Sequence, residues 1–133
     1  MSFSKAVTFN FRSILFLFLF VSLESKCLHI DDYNFLDSLY IQNGGSSWIW
    51  KEKNVSKHWV FGPYNDSSYP DPCYAEFEGV ICSEDSTGCR LITLKLHDYG
   101  ISGLLTDSFH LPQNLSSLDL SKTLIVGPIP STL

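Results

Sequence analysis

LITLKLHDYGISGLLTDSF (Leu91 to Phe109) and LSSLDLSKTLIVGPIPSTL (Leu115 to Leu133) are one pattern written twice, 24 residues apart. Leu91, Leu94, Leu96, Ile101, Gly103 and Leu105 of the first copy match Leu115, Leu118, Leu120, Ile125, Gly127 and Ile129 of the second. A unit this short cannot bury its own apolar side and must stack on a copy of itself. The L-x-x-L-x-L opening of each copy reads as one short strand, so stacking builds a parallel sheet. The fold class expected is an α/β solenoid, with about two coils over residues 91–133.

Strand side chains alternate between faces, so with the leucines inward their alternates point out. Thr93, Lys95 and His97, with Ser117, Asp119 and Ser121, should therefore line one concave face, the expected ligand-binding surface. Lys95 and Asp119 fall at equivalent positions and should form a cross-strand ion pair, worth at most ~1 kcal/mol. The second coil should expose Leu118, Leu120, Ile125 and Ile129 at an open edge. Terminal coils need a polar cap, so the chain is expected to be a piece of a longer repeat protein.

Residues 26–90 read as an N-terminal cap. IDDYNFLDSLYIQNGG (Ile30 to Gly45) has Leu36, Leu39 and Tyr40 on one helical face. Asp31 or Asp32 can accept from the first-turn amides, and Asn43-Gly44-Gly45 supplies a left-handed stop. Trp48 and Trp59 are expected to close the end of the core, ahead of the alternative that this aromatic stretch is a sugar-binding platform. A hairpin follows, with strands at Gly79–Cys82 and Leu91–Leu96 around a polar turn, Ser83 to Gly88.

Residues 1–25 carry Lys5 and Arg12, then the apolar block ILFLFLFV (Ile14 to Val21), then a polar end with Ser25 at the expected cut. That is the order of a secretory signal peptide. The competing membrane anchor needs roughly 20 uninterrupted apolar residues, and Arg12 interrupts this run. The net charge is −5 and becomes one unit more negative once residues 1–25 are removed. Without a basic stripe, nucleic acid is a poor partner, and no membrane span is expected after cleavage.

Four cysteines then remain, Cys27, Cys73, Cys82 and Cys89, an even count that reads as two disulfides in an exported domain. Cys73 with Cys82 closes a short loop and leaves Cys27 for Cys89, with Cys82–Cys89 as the rival. A zinc site using these thiolates with His97 or His110 lacks the close two-cysteine knuckle, so no metal is expected. Asn54, Asn65 and Asn114 each begin an N-x-S sequon and are expected to be glycosylated.

Here the chain resembles a known family. Leu-x-Leu followed by Ile-x-Gly-Pro-Ile-Pro is similar to the plant-type leucine-rich repeat, and the upstream series NGG, SW, HW, DPC and EGVIC resembles the N-terminal cap of receptor-like kinases, receptor-like proteins and secreted inhibitors. The resemblance covers residues 31–133. It departs from the family at Tyr99 and Thr123, which stand at the asparagine that links neighbouring coils. Thr123 can substitute in part through its hydroxyl, and Tyr99 is expected not to fold inward. Thr106 also stands where the second repeat has Pro130.

His97 and Asp98 invite a catalytic reading, but consecutive strand residues face opposite ways. The chain has no nucleophile elbow, metal-ligand cluster or phosphate loop. The expectation is therefore a non-catalytic, cofactor-free recognition module, secreted or at the cell surface, binding a protein, peptide or glycan with or without a co-receptor. The alternatives are a structural cap, a cell-wall adhesion piece, or a secreted hydrolase inhibitor.

Overall fold

Helix α1 (Ile30–Gln42) turns Tyr33, Phe35, Leu36 and Leu39 into the core and stops at Asn43, after which Gly44 takes a left-handed φ of 78°. The computed structural model describes residues 26–105 and 110–128. The expected signal segment, Thr106, Phe109, Ile129 and Pro130 lie outside the described residues. The N-cap is His29, whose ring Nδ1 accepts from the Asp31 amide at 3.1 Å, and not Asp31 or Asp32 as expected. Asp32 is instead fully buried.

Strands β1 (Val80–Asp85) and β2 (Gly88–Lys95) form the antiparallel hairpin. Its turn is shorter than expected, only Ser86 and Thr87, because Asp85 Oδ1 accepts from both the amide and hydroxyl of Thr87. That local bond closes the loop early and lets both strands run on. The strand β2 also crosses the expected boundary at residue 90, so cap and first repeat share one strand.

A spacing of three between Leu91 and Leu94 would put them on opposite faces of a regular strand. Both are 0% exposed. The register shifts between Ile81 and Cys82, where Thr93 pairs Ile81 but Leu91 pairs Cys82. The extra residue, Ile92, is a bulge that returns Leu91 to the inner face. Gly79, with φ of 80°, sits where a Cβ would overlap the Lys95 carbonyl oxygen, which explains the glycine in EGVIC.

Strand β3 (Ser102–Gly103) and the second repeat's β4 (Ser117–Asp119) and β5 (Leu124–Ile125) complete the strands among the described residues. The first sheet runs β1-β2-β4 and the second pairs β3 with β5, both repeat pairings being parallel. Thr93, Leu94 and Lys95 meet Ser117, Leu118 and Asp119, an offset of 24. The second sheet departs from it: Ser102 meets Leu124 and Gly103 meets Ile125, an offset of 22. Gly103 and Gly127 nevertheless share left-handed φ values of 92° and 94°, so the conformation repeats every 24 residues while the strands slide by two.

The core gathers Leu28, α1, Trp48, Trp59 and Phe77 against Leu91, Leu94, Leu96 and Ile101. Trp48 and Trp59 are 4% and 3% exposed and meet edge-to-face at 5.1 Å, so they close the core as expected. Leu118, Leu120 and Ile125 of the second repeat are only half-buried. Tyr99 does fold inward, contrary to expectation, because its hydroxyl finds the buried Glu78 carboxylate at 2.8 Å.

Candidate functional site

The parallel pairing of β2 with β4 places Thr93 beside Ser117 and Lys95 beside Asp119 on the outer side of the sheet. His97 and Ser121 continue the two rows just past the strands, with the His97 Nδ1 to Ser121 Oγ distance at 2.7 Å. All six expected face residues therefore lie together. Lys95, His97, Ser117 and Ser121 are exposed, and Thr93 and Asp119 half-buried. The hairpin adds Ile81, which pairs Thr93 and is 49% exposed, an apolar member that sequence reading missed. Its signal was available, since alternation along β1 from the inward Val80 turns Ile81 out.

The expected Lys95–Asp119 ion pair is absent among the described residues, although the two are direct neighbours. Asp119 Oδ1 accepts from the Ser121 amide at 2.9 Å and from its hydroxyl at 2.6 Å. Asp66 with Ser68 and Asp85 with Thr87 make the same two bonds. The D-x-[ST] spelling thus favours a local turn over a cross-strand partner, since two residues' separation needs little ordering and an exposed lysine gains little from pairing. Lys95→Ala should accordingly change stability by less than about 0.5 kcal/mol, read by chemical denaturation at low salt. A larger loss would restore the pair.

The Ser121 hydroxyl and amide hold the Asp119 carboxyl below its usual range, so it is ionised at neutral pH. An ionised carboxylate only accepts, so the single hydroxyl proton of Ser121 goes to Asp119, and His97 Nδ1 must donate to Ser121 Oγ. A serine nucleophile needs a histidine that takes its proton. Here the histidine gives one, and the three residues form an exposed polar hydrogen-bonded chain. Asp98, at a left-handed φ of 63°, donates its amide to the Ser121 carbonyl at 3.1 Å.

One end of this face is buttressed by Glu78, 5% exposed. Its Oε1 accepts from the Lys51 amide at 2.9 Å and the Tyr99 hydroxyl at 2.8 Å, and its Oε2 from the Glu52 amide at 3.0 Å. Burial, and then the Glu78 carboxylate, push the Tyr99 phenol above its usual value. Lys51 Nζ lies 4.3 Å from the Tyr99 ring centre and donates to the His97 carbonyl oxygen. The aromatic loop is in this way pinned against the end of the sheet.

Cys27 pairs with Cys89 and Cys73 with Cys82 at disulfide distance, and no cysteine is free among the described residues. The ligand atoms of Cys27, Glu84 and Cys89 cluster within 4.8 Å, but both sulfurs belong to one disulfide, and the zinc reading gains nothing. Asn54, Asn65 and Asn114 are all exposed. No described helix is long and apolar enough to cross a membrane.

Comparison with known proteins gives 35% identity over 83 residues, 62% of this chain, with the LRR receptor-like serine/threonine-protein kinase GSO2 of Arabidopsis thaliana. Over that stretch the chain is similar to a plant leucine-rich repeat receptor-like protein. The inactive LRR receptor-like serine/threonine-protein kinase BIR2 of the same plant is 35% identical over 81 residues, 61% of the chain. The matched segment covers 6% and 12% of those two relatives. No protein-family model matches the chain, and no solved structure matches it. The leucine-rich repeat type accounts for the L-x-x-L-x-L strands and for their parallel pairing at an offset of 24.

Proposed function

We propose that the chain is a non-catalytic, extracytoplasmic leucine-rich repeat recognition module, with a solenoid fold begun by its cap and its two repeats. Residues 1–25 direct its export, the three sequons carry glycans, and the module belongs to a secreted or cell-surface protein of receptor-like type. Its ligand, a protein, peptide or glycan, lies on the outer sheet face of Thr93, Lys95, His97, Ser117, Asp119 and Ser121, with Ile81 at the hairpin side.

The observation that supports this reading is the in-register pairing of Thr93 with Ser117 and Lys95 with Asp119. It sets exposed and half-buried, chemically varied side chains on paired strands, where they lose little freedom on binding. Asp119, Ser121 and His97 are moreover held by bonds to one another. Glycans at Asn54, Asn65 and Asn114 would be polar and bulky and spare this face, since none of the three belongs to it.

The test is a binding screen of the disulfide-bonded protein against immobilised extracellular proteins, peptides and glycans. The variant Lys95→Glu/His97→Ala/Asp119→Lys should lose at least about tenfold in affinity for whatever the parent binds, a loss of ~1.4 kcal/mol, with its melting temperature unchanged. A ligand bound equally by both proteins would remove this face from the account.

A further inference from the structure

We propose that the groove between α1 and residues 110–113 is a second binding site, for a short neutral oligosaccharide. The groove has a volume of about 560 Å³ and shares no lining residue with the outer sheet face. That volume falls within the roughly 300–1,000 Å³ typical of small-ligand sites. One wall is a polar stripe of α1, Asp31, Asn34, Ser38 and Gln42, at a spacing that keeps them on one side of the helix. The opposite wall is His110 to Gln113.

The floor is preorganised. Arg90 donates from Nε and Nη2 to the two carboxylate oxygens of buried Asp32, each at 3.0 Å, and from Nη1 to Gln113 Oε1 at 3.4 Å. Asp32 also accepts the Leu91 amide at 2.9 Å. A guanidinium has five N–H groups, and the side chain of Arg90 is 22% exposed. Arg90 lines the groove with its guanidinium held in place by Asp32, while Phe35, Leu111 and Pro112 add apolar lining.

Three features select the ligand class. The Arg90 charge is matched by Asp32, and Asp31 leaves the lining with one acid in excess, so anions are disfavoured. Asp31 is itself 78% exposed and attracts cations weakly through solvent. The groups of Asn34, Ser38, Gln42 and Gln113 are amides and a hydroxyl, which both donate and accept as sugar hydroxyls do. A peptide could add no backbone ladder here, because the wall is a helix whose amides bond internally. A ring with hydroxyl edges and C–H faces matches the mixed lining.

The test uses the whole disulfide-bonded chain with cellotetraose, xylotetraose and mannotetraose as neutral probes and trigalacturonate as the anionic comparator. Calorimetry should detect at least one neutral probe, and hydrogen exchange should slow in α1 and in residues 110–113 together. Asn34 and Gln42 are exposed, so Asn34→Ala/Gln42→Ala should keep the melting temperature while weakening binding roughly tenfold or more. Lys95→Glu/His97→Ala/Asp119→Lys should bind the sugar as the parent does, which separates this site from the sheet face. Silence from all three neutral probes, tighter binding of trigalacturonate, or undiminished binding by the Asn34/Gln42 variant would each overturn the proposal.

Discussion

Replacing Cys27 and Cys89 together with alanine should destabilise the protein by about 4 kcal/mol, and replacing Cys73 and Cys82 by only about 2.5 kcal/mol. The two disulfides differ in what they restrain. Cys27–Cys89 closes a separation of 62 residues and Cys73–Cys82 one of 9, and the entropy removed from the unfolded chain grows with the logarithm of that length. The long link also anchors the segment before α1. Cys89 donates its amide to the Cys27 carbonyl at 2.8 Å and accepts the His29 amide at 3.0 Å, around a Leu28 that is fully buried. Urea unfolding of both double variants at neutral pH gives the comparison. If the Cys73/Cys82 variant is the less stable, native packing around the short loop outweighs chain entropy.

Asp32→Ala should cost about 3–5 kcal/mol, because it strips the partner from a partly buried guanidinium and from the Leu91 amide at once. For a domain of this size each kcal/mol lowers the melting temperature by roughly 4–8 °C, so the loss should be plain in a thermal scan. Asp32→Leu/Arg90→Met, which removes both charges and keeps apolar bulk, should recover most of it. A single variant no worse than the double one would mean that Arg90 finds water in place of Asp32, and that the pair contributes only at the level of a surface ion pair.

The parts of the fold legible in the sequence are those set by repetition and by bulk. The 24-residue spacing placed Thr93 against Ser117 and Lys95 against Asp119 because one buried face allows only one register. Trp48 and Trp59 could be assigned to the core because an irregular segment has little else to do with such large apolar rings. The rest depends on buried polar groups, whose partners are distant in the chain. Asp32 lies on the same helical stripe as Leu36 and Leu39, a carboxylate among leucines, and that was the available signal for its bond to Arg90, 58 residues away. Glu78 offered no such signal, and its hold on Tyr99 is why that residue turns inward.

The two-residue slide of the second sheet was also hidden. Sequence equivalence reports conformation, and Gly103 and Gly127 are conformationally equivalent. Pairing reports how neighbouring turns of the chain are offset in space, and the half-buried second repeat leaves that to backbone hydrogen bonds such as Leu124 to the Ile101 carbonyl at 2.7 Å. At the site, short-range chemistry won over long-range charge. Asp119 bonds Ser121 two residues on, and the neighbouring Lys95 is left to solvent.

The measurement that bears most directly on this account is the cross-strand NOE pattern of isotope-labelled protein over residues 91–97 and 115–121. The proposed recognition face requires β2 and β4 to be parallel and offset by 24. The account predicts contacts that join Thr93 with Ser117 and Lys95 with Asp119 as paired residues, in parallel order. A shift of one residue would turn every side chain of one strand to the other face. Contacts at an offset of 23 or 25, an antiparallel order, or no contacts between the two segments would contradict it.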